Sequence, residues 1–412
     1  MLNTDIFSAL PDYPFPRLRR LLAGIEPSNL YTENIPSHAL DMSIGEPRHS
    51  PPDFIRKILD NSWLDYRRYP PTAGTEVFLQ SVKRWLCRRF NLPEQWVADQ
   101  LGVVPLNGTR EGMFMTTLTL TGDFDKDYKG KILIPNPFYQ CYAAAALVSR
   151  KEPFYVPALK ETNFLPDYSS VPISVLRETL AVFICSPSNP HGAVADMEYW
   201  ERLLNLANTY GFYIFSDECY SEIYNETPPC GVLEAAQKYG YDPNHIVAFY
   251  SLSKRSNVPG LRSGFAVTGK KTLEKIIKIR SYAGAPCPLP VLHASAALWD
   301  DENHVIANRA MYREKYKAAN KIFADWPLYK KIEYGFYLWL HTGNGEKSAQ
   351  YLWQNSGIRT LPGEYLSKTL SNQQDSLNPG HGYLRLALVE EMQHLESVLE
   401  AVKKILNCEK KL

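Results

Sequence analysis

Six short apolar runs, separated by longer amphipathic stretches, constrain this chain more than any other feature. They are LGVVPL (101–106), KILIPNPFY (131–139), AVFICSP (181–187), FYIFSDE (212–218), HIVAFYS (245–251) and SGFAVTG (263–269). A run that is apolar on both of its alternating faces has no wet side, so as a strand it must be covered above and below. Between several runs lie segments such as MEYWERLLNLANTYG (197–211), which carry the apolar spacing of helices. Helices alternating with doubly covered strands predict an α/β fold with a mostly parallel, doubly wound sheet. At 412 residues the chain also exceeds what a single core holds, which predicts two domains. The pattern changes near residue 300. There a charged helical stretch (302–324) precedes KIEYGFYLWLHT, GYLRLALV and a closing helix, EEMQHLESVLEAVKKIL. The expected division is a large domain at 51–300 and a smaller α+β domain made of 1–50 and 301–412.

Composition narrows the partners. The formal net charge of +1 supplies no field to gather nucleic acid or an anionic membrane surface. No apolar run approaches the roughly 20 residues of a membrane span. The opening MLNTDIFSALPDYPF lacks the basic-then-apolar order of a signal peptide. Seven scattered cysteines without a C-x-x-C pair read as free thiols, and these features together predict a cytoplasmic protein. Nine histidines show no metal-ligand spacing, so no metal is expected.

In open α/β sheets, ligands collect beyond the carboxyl ends of the strands. That rule selects four groups of residues. Asn107, Gly108, Thr109 and Arg110 follow one strand and open a helix, offering free N–H groups and a hydroxyl to an anion. Asn189 follows AVFICSP, Asp217 and Tyr220 follow FYIF, and Lys254 follows HIVAFYSL with Ser251, Ser253 and Arg262 around it. Taken singly, Thr109 reads as a helix cap, Asn189-Pro190 as a turn and Asp217 as a local pair. Their joint occurrence at successive strand ends points to one site.

These residues carry a resemblance. The string S-φ-S-K-x-x-x-x-x-G-x-R-x-G is matched by Ser251, Ser253, Lys254, Gly260, Arg262 and Gly264. Ser188-Asn189-Pro190-His191-Gly192, Asp217 with Tyr220, Tyr69 before Gly74, Gly45-Glu46-Pro47 and Arg385 in YLRLAL follow the same pattern. Together they resemble the fold type I pyridoxal-phosphate aminotransferases of classes I and II, over nearly the whole chain and in the expected order. Two departures are Ser263, where the family usually has an aliphatic residue, and Arg110-Glu111, where smaller or uncharged residues are common. The resemblance implies that Lys254 links covalently to the cofactor and then acts as the base. It gives Asp217 to the pyridine nitrogen, Asn189 and Tyr220 to the ring hydroxyl, and Tyr139 (or Phe138) to the ring face. The phosphate falls to Arg262, Ser251, Ser253 and the turn Gly108-Thr109-Arg110, joined by Tyr69 from a neighbouring subunit in a homodimer with shared sites. Arg385, helped by Asn189 and the backbone of Gly45, is implied to hold the substrate α-carboxylate.

The string SKRSNVPGLRSGF and the segments YPFPRLRRLLAGI and SIGEPRHSPP are similar to the bacterial succinyldiaminopimelate aminotransferases of lysine biosynthesis. The implied reaction exchanges an amino group between N-succinyl-LL-2,6-diaminopimelate and 2-oxoglutarate. Donors such as aspartate, alanine or an aromatic amino acid are alternatives, and pyridoxal-phosphate lyases share the scaffold. A cofactor-sensing regulator would need a basic DNA-binding domain ahead of the motifs, for which the chain has no room. For the distal end of the substrate the residues offer only candidates: Arg280, Arg48 and Arg17.

Overall fold

A computed structural model of the chain describes residues 8, 10, 12–122, 130–371 and 376–409. Residues 1–7, 9, 11, 372–375 and 410–412 of the expected small domain lie outside the described residues. Seven strands form the principal sheet: β1 (Leu101–Leu106), β2 (Lys131–Asn136), β3 (Glu152–Pro157), β4 (Thr179–Cys185), β5 (Tyr213–Asp217), β6 (Ile246–Ser251) and β7 (Gly264–Gly269). Their spatial order is β1-β7-β6-β5-β4-β2-β3. All run parallel except β7, which is antiparallel to both of its neighbours.

The apolar runs do what doubly covered strands must. Val103, Val182, Ile184, Ile214, Ala248 and Val267 face one core, together with Trp85, Trp200 and Leu298 from flanking helices. Their sequence neighbours Val104, Ala181, Phe183, Phe215, Val247 and Ala266 face a second core with Met113, Tyr142 and Ile276. Alternate residues point to opposite faces of a strand, so helices on both sides bury every position. The sequence patterning does not single out β3. Prolines at 153 and 157 and a half-exposed burial pattern suit it to the sheet edge, where it lacks the continuous apolar signature.

A smaller sheet follows, with β8 (Tyr337–His341), β9 (Leu361–Pro362) and β12 (Tyr383–Ala387) in the order β8-β12-β9, all antiparallel. Two short antiparallel strands, β10 (Leu370–Ser371) and β11 (Ser376–Leu377), lie between β9 and β12 in the chain. The helices Asn303–Ile322 and Met392–Glu409 pack against this sheet around Phe336, Leu340, Leu384 and Leu399. Leu40 and Met42 of the amino-terminal region join the same core, and Asp41 bridges to Arg359. Among the described residues no helix is long and apolar enough to cross a membrane.

Candidate active site

The carboxyl ends of β1, β4, β5 and β6 and the amino end of β7 open on one edge, because Ser251 and Leu106 both pair with Gly264 and Cys185 pairs with Asp217. A cavity of about 370 Å³ lies there, closed from the other side by Gly45, Tyr337, Leu361 and Arg385. Thr109, Arg110, Tyr139, Asn189, Asp217, Tyr220, Ser251, Ser253, Lys254 and Arg262 all line it. Of the residues expected at the cofactor, Asn107, Gly108 and Tyr69 are not in its lining, nor is Phe138, the alternative to Tyr139. Gly108 sits immediately behind the wall. Tyr69 is fully exposed and borders a separate surface depression with Tyr66, Pro286 and Pro288.

Lys254 lies in a single helical turn, Leu252–Arg255, that follows β6. The Ser251 hydroxyl caps this turn by accepting from Ser253 N–H at 3.1 Å. Lys254 Nζ donates to the carbonyl of Gly45 at 2.5 Å and stands 5.4 Å from the centre of the Phe336 ring. Burial pushes its pKa down to about 8, with the charges of Arg385 and Arg262 acting the same way against Cys219 and Glu46. A lysine so placed releases its proton far more readily than a free one. Gly45 is required by close approach: a Cβ there would lie 1.8 Å from the hydroxyl of Tyr337.

Asp217 ends β5 at the floor of the cavity. Its Oδ2 accepts from Tyr142 O–H at 2.7 Å and its Oδ1 from Cys219 N–H at 3.3 Å. Burial raises its pKa, opposed by those hydrogen bonds and by the charge of Lys254. Among the described residues it has no salt-bridge partner, so a buried carboxylate waits for a cationic N–H. Tyr220 reaches the hydroxyl of Tyr337 at 3.3 Å.

The Arg262 end of the cavity is built from a strained turn. Arg262 has φ of +55°, a conformation that non-glycine residues adopt rarely, and its guanidinium donates to Pro259 O at 2.9 Å and Asn107 O at 3.2 Å. Gly108 has φ of +84°, and a Cβ there would lie 2.0 Å from Arg262 Nη2. The helix Thr109–Thr121 begins at this turn and points its first N–H groups toward the cavity rim. Thr109 Oγ1 lies 3.2 Å from Cys219 Sγ.

Arg385 on β12 is 4% exposed. Its guanidinium donates to Asn189 Oδ1 at 3.0 Å and Ser43 O at 2.8 Å, and lies 4.4 Å from the centre of the Tyr337 ring. Its Nε has no partner, and no carboxylate among the described residues pairs with it. An unsatisfied buried guanidinium at a cavity wall is prepared for an external carboxylate.

Several expectations resolve at the level of single side chains. Tyr139 faces the cavity and accepts from Arg110 Nε, whereas Phe138 is buried against Tyr155. The departures from the usual motif are satisfied internally. Ser263 meets the hydroxyl of Ser295 at 2.7 Å, and Glu111 pairs with buried Arg280 at 2.5 Å. None of the three arginines offered for the distal end of the substrate lines the cavity. Arg280 is held by Glu111, Arg48 is clasped by Glu390 and the carbonyls of His38 and Asp41, and Arg17 stacks on Tyr365 at 3.9 Å. Arg110, by contrast, does line the cavity, with its Nη2 donating to the hydroxyl oxygen of Tyr13 at 3.2 Å and no carboxylate partner among the described residues. Tyr142, Tyr337 and Cys219 escape the motif reading. For Tyr142 a signal exists, because it lies three residues after Tyr139 on one helical face.

The sequence of family "Aminotransferase class I and II" matches residues 37–402, and the chain belongs to that family, whose members use pyridoxal phosphate. The solved aminotransferase of Neisseria meningitidis Z2491 is 37% identical, covering 97% of this chain and 99% of its own, with a TM-score of 0.88. The aminotransferase AspB of Helicobacter pylori 26695 is 36% identical over 95% of this chain and 98% of its own, with a TM-score of 0.84. The LL-diaminopimelate aminotransferase of Aquifex aeolicus is 29% identical over 98% of each chain. The site fits the family's cofactor on its own evidence: an unpaired buried carboxylate, a buried lysine, and a glycine cradle beside an arginine at the anion end.

Proposed function

We propose that this aminotransferase moves an amino group between N-succinyl-LL-2,6-diaminopimelate and 2-oxoglutarate, yielding N-succinyl-2-amino-6-oxopimelate and glutamate. One observation supports a substrate with two acidic ends: Arg385 and Arg110 line the same cavity, and neither has a carboxylate partner among the described residues. Arg385 takes the α-carboxylate, and Arg110, with Tyr13 beside it, takes the distal end. The similarity of SKRSNVPGLRSGF to the succinyldiaminopimelate group favours the acylated donor. A second reading is LL-diaminopimelate itself. It is favoured by relatives bearing that name and by the Glu46 carboxylate at the cavity wall, which suits a free distal ammonium.

In this reading Asp217 holds the pyridine nitrogen, Asn189 and Tyr220 hold the ring hydroxyl, and Tyr139 covers the ring face. Gly108, Thr109, Ser251, Ser253 and Arg262 hold the phosphate, and Arg110, which the resemblance gives to the phosphate, is assigned instead to the distal end of the substrate. When bound, pyridoxal phosphate supplies an electron-poor ring that draws the electron pair from the substrate Cα. Lys254 Nζ takes the proton from that Cα, a task suited to an amine whose pKa burial has brought to about 8. Tyr142 keeps Asp217 oriented by donating to it. Arg385 fixes the α-carboxylate and so aligns the Cα–H bond with Lys254. We further propose a homodimer in which Tyr69 serves the phosphate of the other subunit. Its full exposure, beside exposed Trp63, Leu64 and Tyr66, supports that reading.

The test is a donor panel of succinyldiaminopimelate, LL-diaminopimelate, aspartate, alanine and an aromatic amino acid. Each is scored by conversion of the bound aldehyde cofactor to its amine form. Fastest conversion by the succinylated donor supports the first reading, and fastest conversion by LL-diaminopimelate supports the second. Fastest conversion by alanine or an aromatic donor removes both.

A further inference from the structure

A polar chain buried behind the cavity joins the catalytic lysine to a helix of the smaller sheet. None of its members, His49, Asn257, Asn308 and Lys315, lines the cavity. Asn308 and Lys315 lie seven residues apart on the Asn303–Ile322 helix, so they share a face, and Tyr312 sits between them against the His49 ring at 5.1 Å. Asn308 Nδ2 donates to the carbonyls of both Lys254 and Arg255 at 3.3 Å. Its Oδ1 accepts from Asn257 Nδ2 at 3.0 Å and faces His49 Nδ1 at 3.0 Å. His49 Nε2 lies 2.7 Å from Lys315 Nζ.

The two carbonyls determine every hydrogen in this chain. Only the NH₂ of Asn308 can face them, so its oxygen faces His49 and Nδ1 must carry the ring proton. Nε2 is then left as an acceptor, and Lys315 donates to it. Protonating Nε2 would set two donors against each other, and His49 is accordingly held neutral, with its pKa brought down to about 4 by burial and by the Lys315 charge. The groups facing Lys315 are the carboxylates of Glu390 and Glu391, the guanidinium of Arg48, the His49 ring and the Tyr312 ring at 4.9 Å.

The Gly45–His49 segment therefore meets Lys254 twice. Gly45 O accepts from the lysine amine, and four residues later His49 reaches the lysine carbonyl through Asn308. Arg48, between them, is clasped by Glu390. We propose that His49, Asn308 and Lys315 form a positioning relay that holds the Lys254–Arg255 backbone and the Gly45–His49 segment in one mutual geometry, presenting Lys254 Nζ to the cavity. These three residues touch neither substrate nor cofactor. The inference rests on Lys254 being the cofactor-linked lysine, which peptide mapping after borohydride reduction tests separately.

The experiment compares cofactor-loaded Asn308→Asp, His49→Phe and His49→Gln with Asn320→Ala. Asn320 lies on the same helix and serves a partly buried network around Tyr329 and Ile332 that does not reach Lys254. Three readouts are taken: kcat and KM for the best amino donor, the pH midpoint of the cofactor's visible absorbance without substrate, and thermal stability. Asn308→Asp keeps the size of the side chain but presents only acceptors to the two carbonyls. It should lower kcat about tenfold or more with KM within about twofold. It should also move the absorbance midpoint by about half a pH unit or more, reporting a changed lysine environment. His49→Phe should do the same. His49→Gln, which keeps a donor and an acceptor, should recover most of the loss. Asn320→Ala should lower stability and shift neither kcat nor the midpoint. Should Asn308→Asp fail to fold, the His49→Phe and His49→Gln pair carries the comparison. Wild-type kcat and midpoint in Asn308→Asp and His49→Phe, or equal shifts in Asn320→Ala, would overturn the relay.

Discussion

Replacing Arg385 with lysine separates a substrate-binding guanidinium from a structural one. In the folded chain three constraints hold the group: Asn189 Oδ1 at 3.0 Å, Ser43 O at 2.8 Å and the Tyr337 ring at 4.4 Å. One hydrogen on each of Nη1 and Nη2 is left to a ligand, enough for a two-bond fork on a planar carboxylate. Lysine brings the same charge on a single atom, so it can neither form the fork nor satisfy both inner acceptors while facing the cavity. Loss of one charge-assisted bond costs about 1.5–3 kcal/mol, which corresponds to roughly tenfold to a hundredfold in kcat/KM. Poorer alignment of the Cα–H bond adds to that. The assay is steady-state kcat/KM for glutamate and for the fastest donor of the panel, with cofactor absorbance and thermal stability measured in parallel. Both substrates share the α-carboxylate, so both should fall together while the absorbance stays normal. A change of less than about threefold in both would refute the reasoning. A loss confined to one substrate would show that Arg385 reads the distal end.

Three further outcomes follow from the same geometry. In cofactor-free protein Lys254→Met should be more stable than wild type at pH 7, because the buried lysine has a pKa of about 8 against an ordinary 10.5. The unfolded wild-type chain binds the extra proton between those values, so the cost is complete below pH 8, at most about 3 kcal/mol, and disappears toward pH 10.5. Denaturation midpoints across pH 6 to 10.5 check this, and a gap independent of pH would contradict it. Gly108→Ala should drive Arg262 from its place and strain the turn, weakening phosphate retention so that the cofactor dialyses away faster than from wild type; unchanged retention would remove Arg262 from the phosphate. If Tyr69 serves the phosphate of the other subunit of a homodimer, mixing Lys254→Ala with Tyr69→Phe subunits should raise activity, because one site of each hybrid would escape both changes. No rise after verified subunit exchange would assign Tyr69 to its own chain or to no role.

The strands that form the site were legible because each is apolar on both faces and ends in a residue whose chemistry is conspicuous: Asp217, Ser251 or the Gly108 turn. Direction was not legible. β7 carries the same apolar run as its parallel neighbours, yet it enters antiparallel, which periodicity cannot report. The edge strand β3 was hidden by its prolines and half-wet face. Phe138 and Tyr139 could not be separated by composition, and only the turn into the following helix sends one to the core and the other to the cavity. The distal arginines failed for a related reason. Arg48, Arg280 and Arg17 look equally free in the sequence, but their partners Glu390, Glu111 and Tyr365 lie far along the chain. The relay through His49 joins residues more than 250 positions apart, beyond any local motif.

Lys254, and no other lysine, is proposed to carry the cofactor at the end of β6. Borohydride reduction of the loaded wild-type protein, followed by proteolysis and mass mapping of the reduced adduct, tests it directly. One labelled peptide spanning Lys254 is expected, with no label in Lys254→Ala. A label on Lys270 or Lys271, or a label that persists in Lys254→Ala, would contradict it.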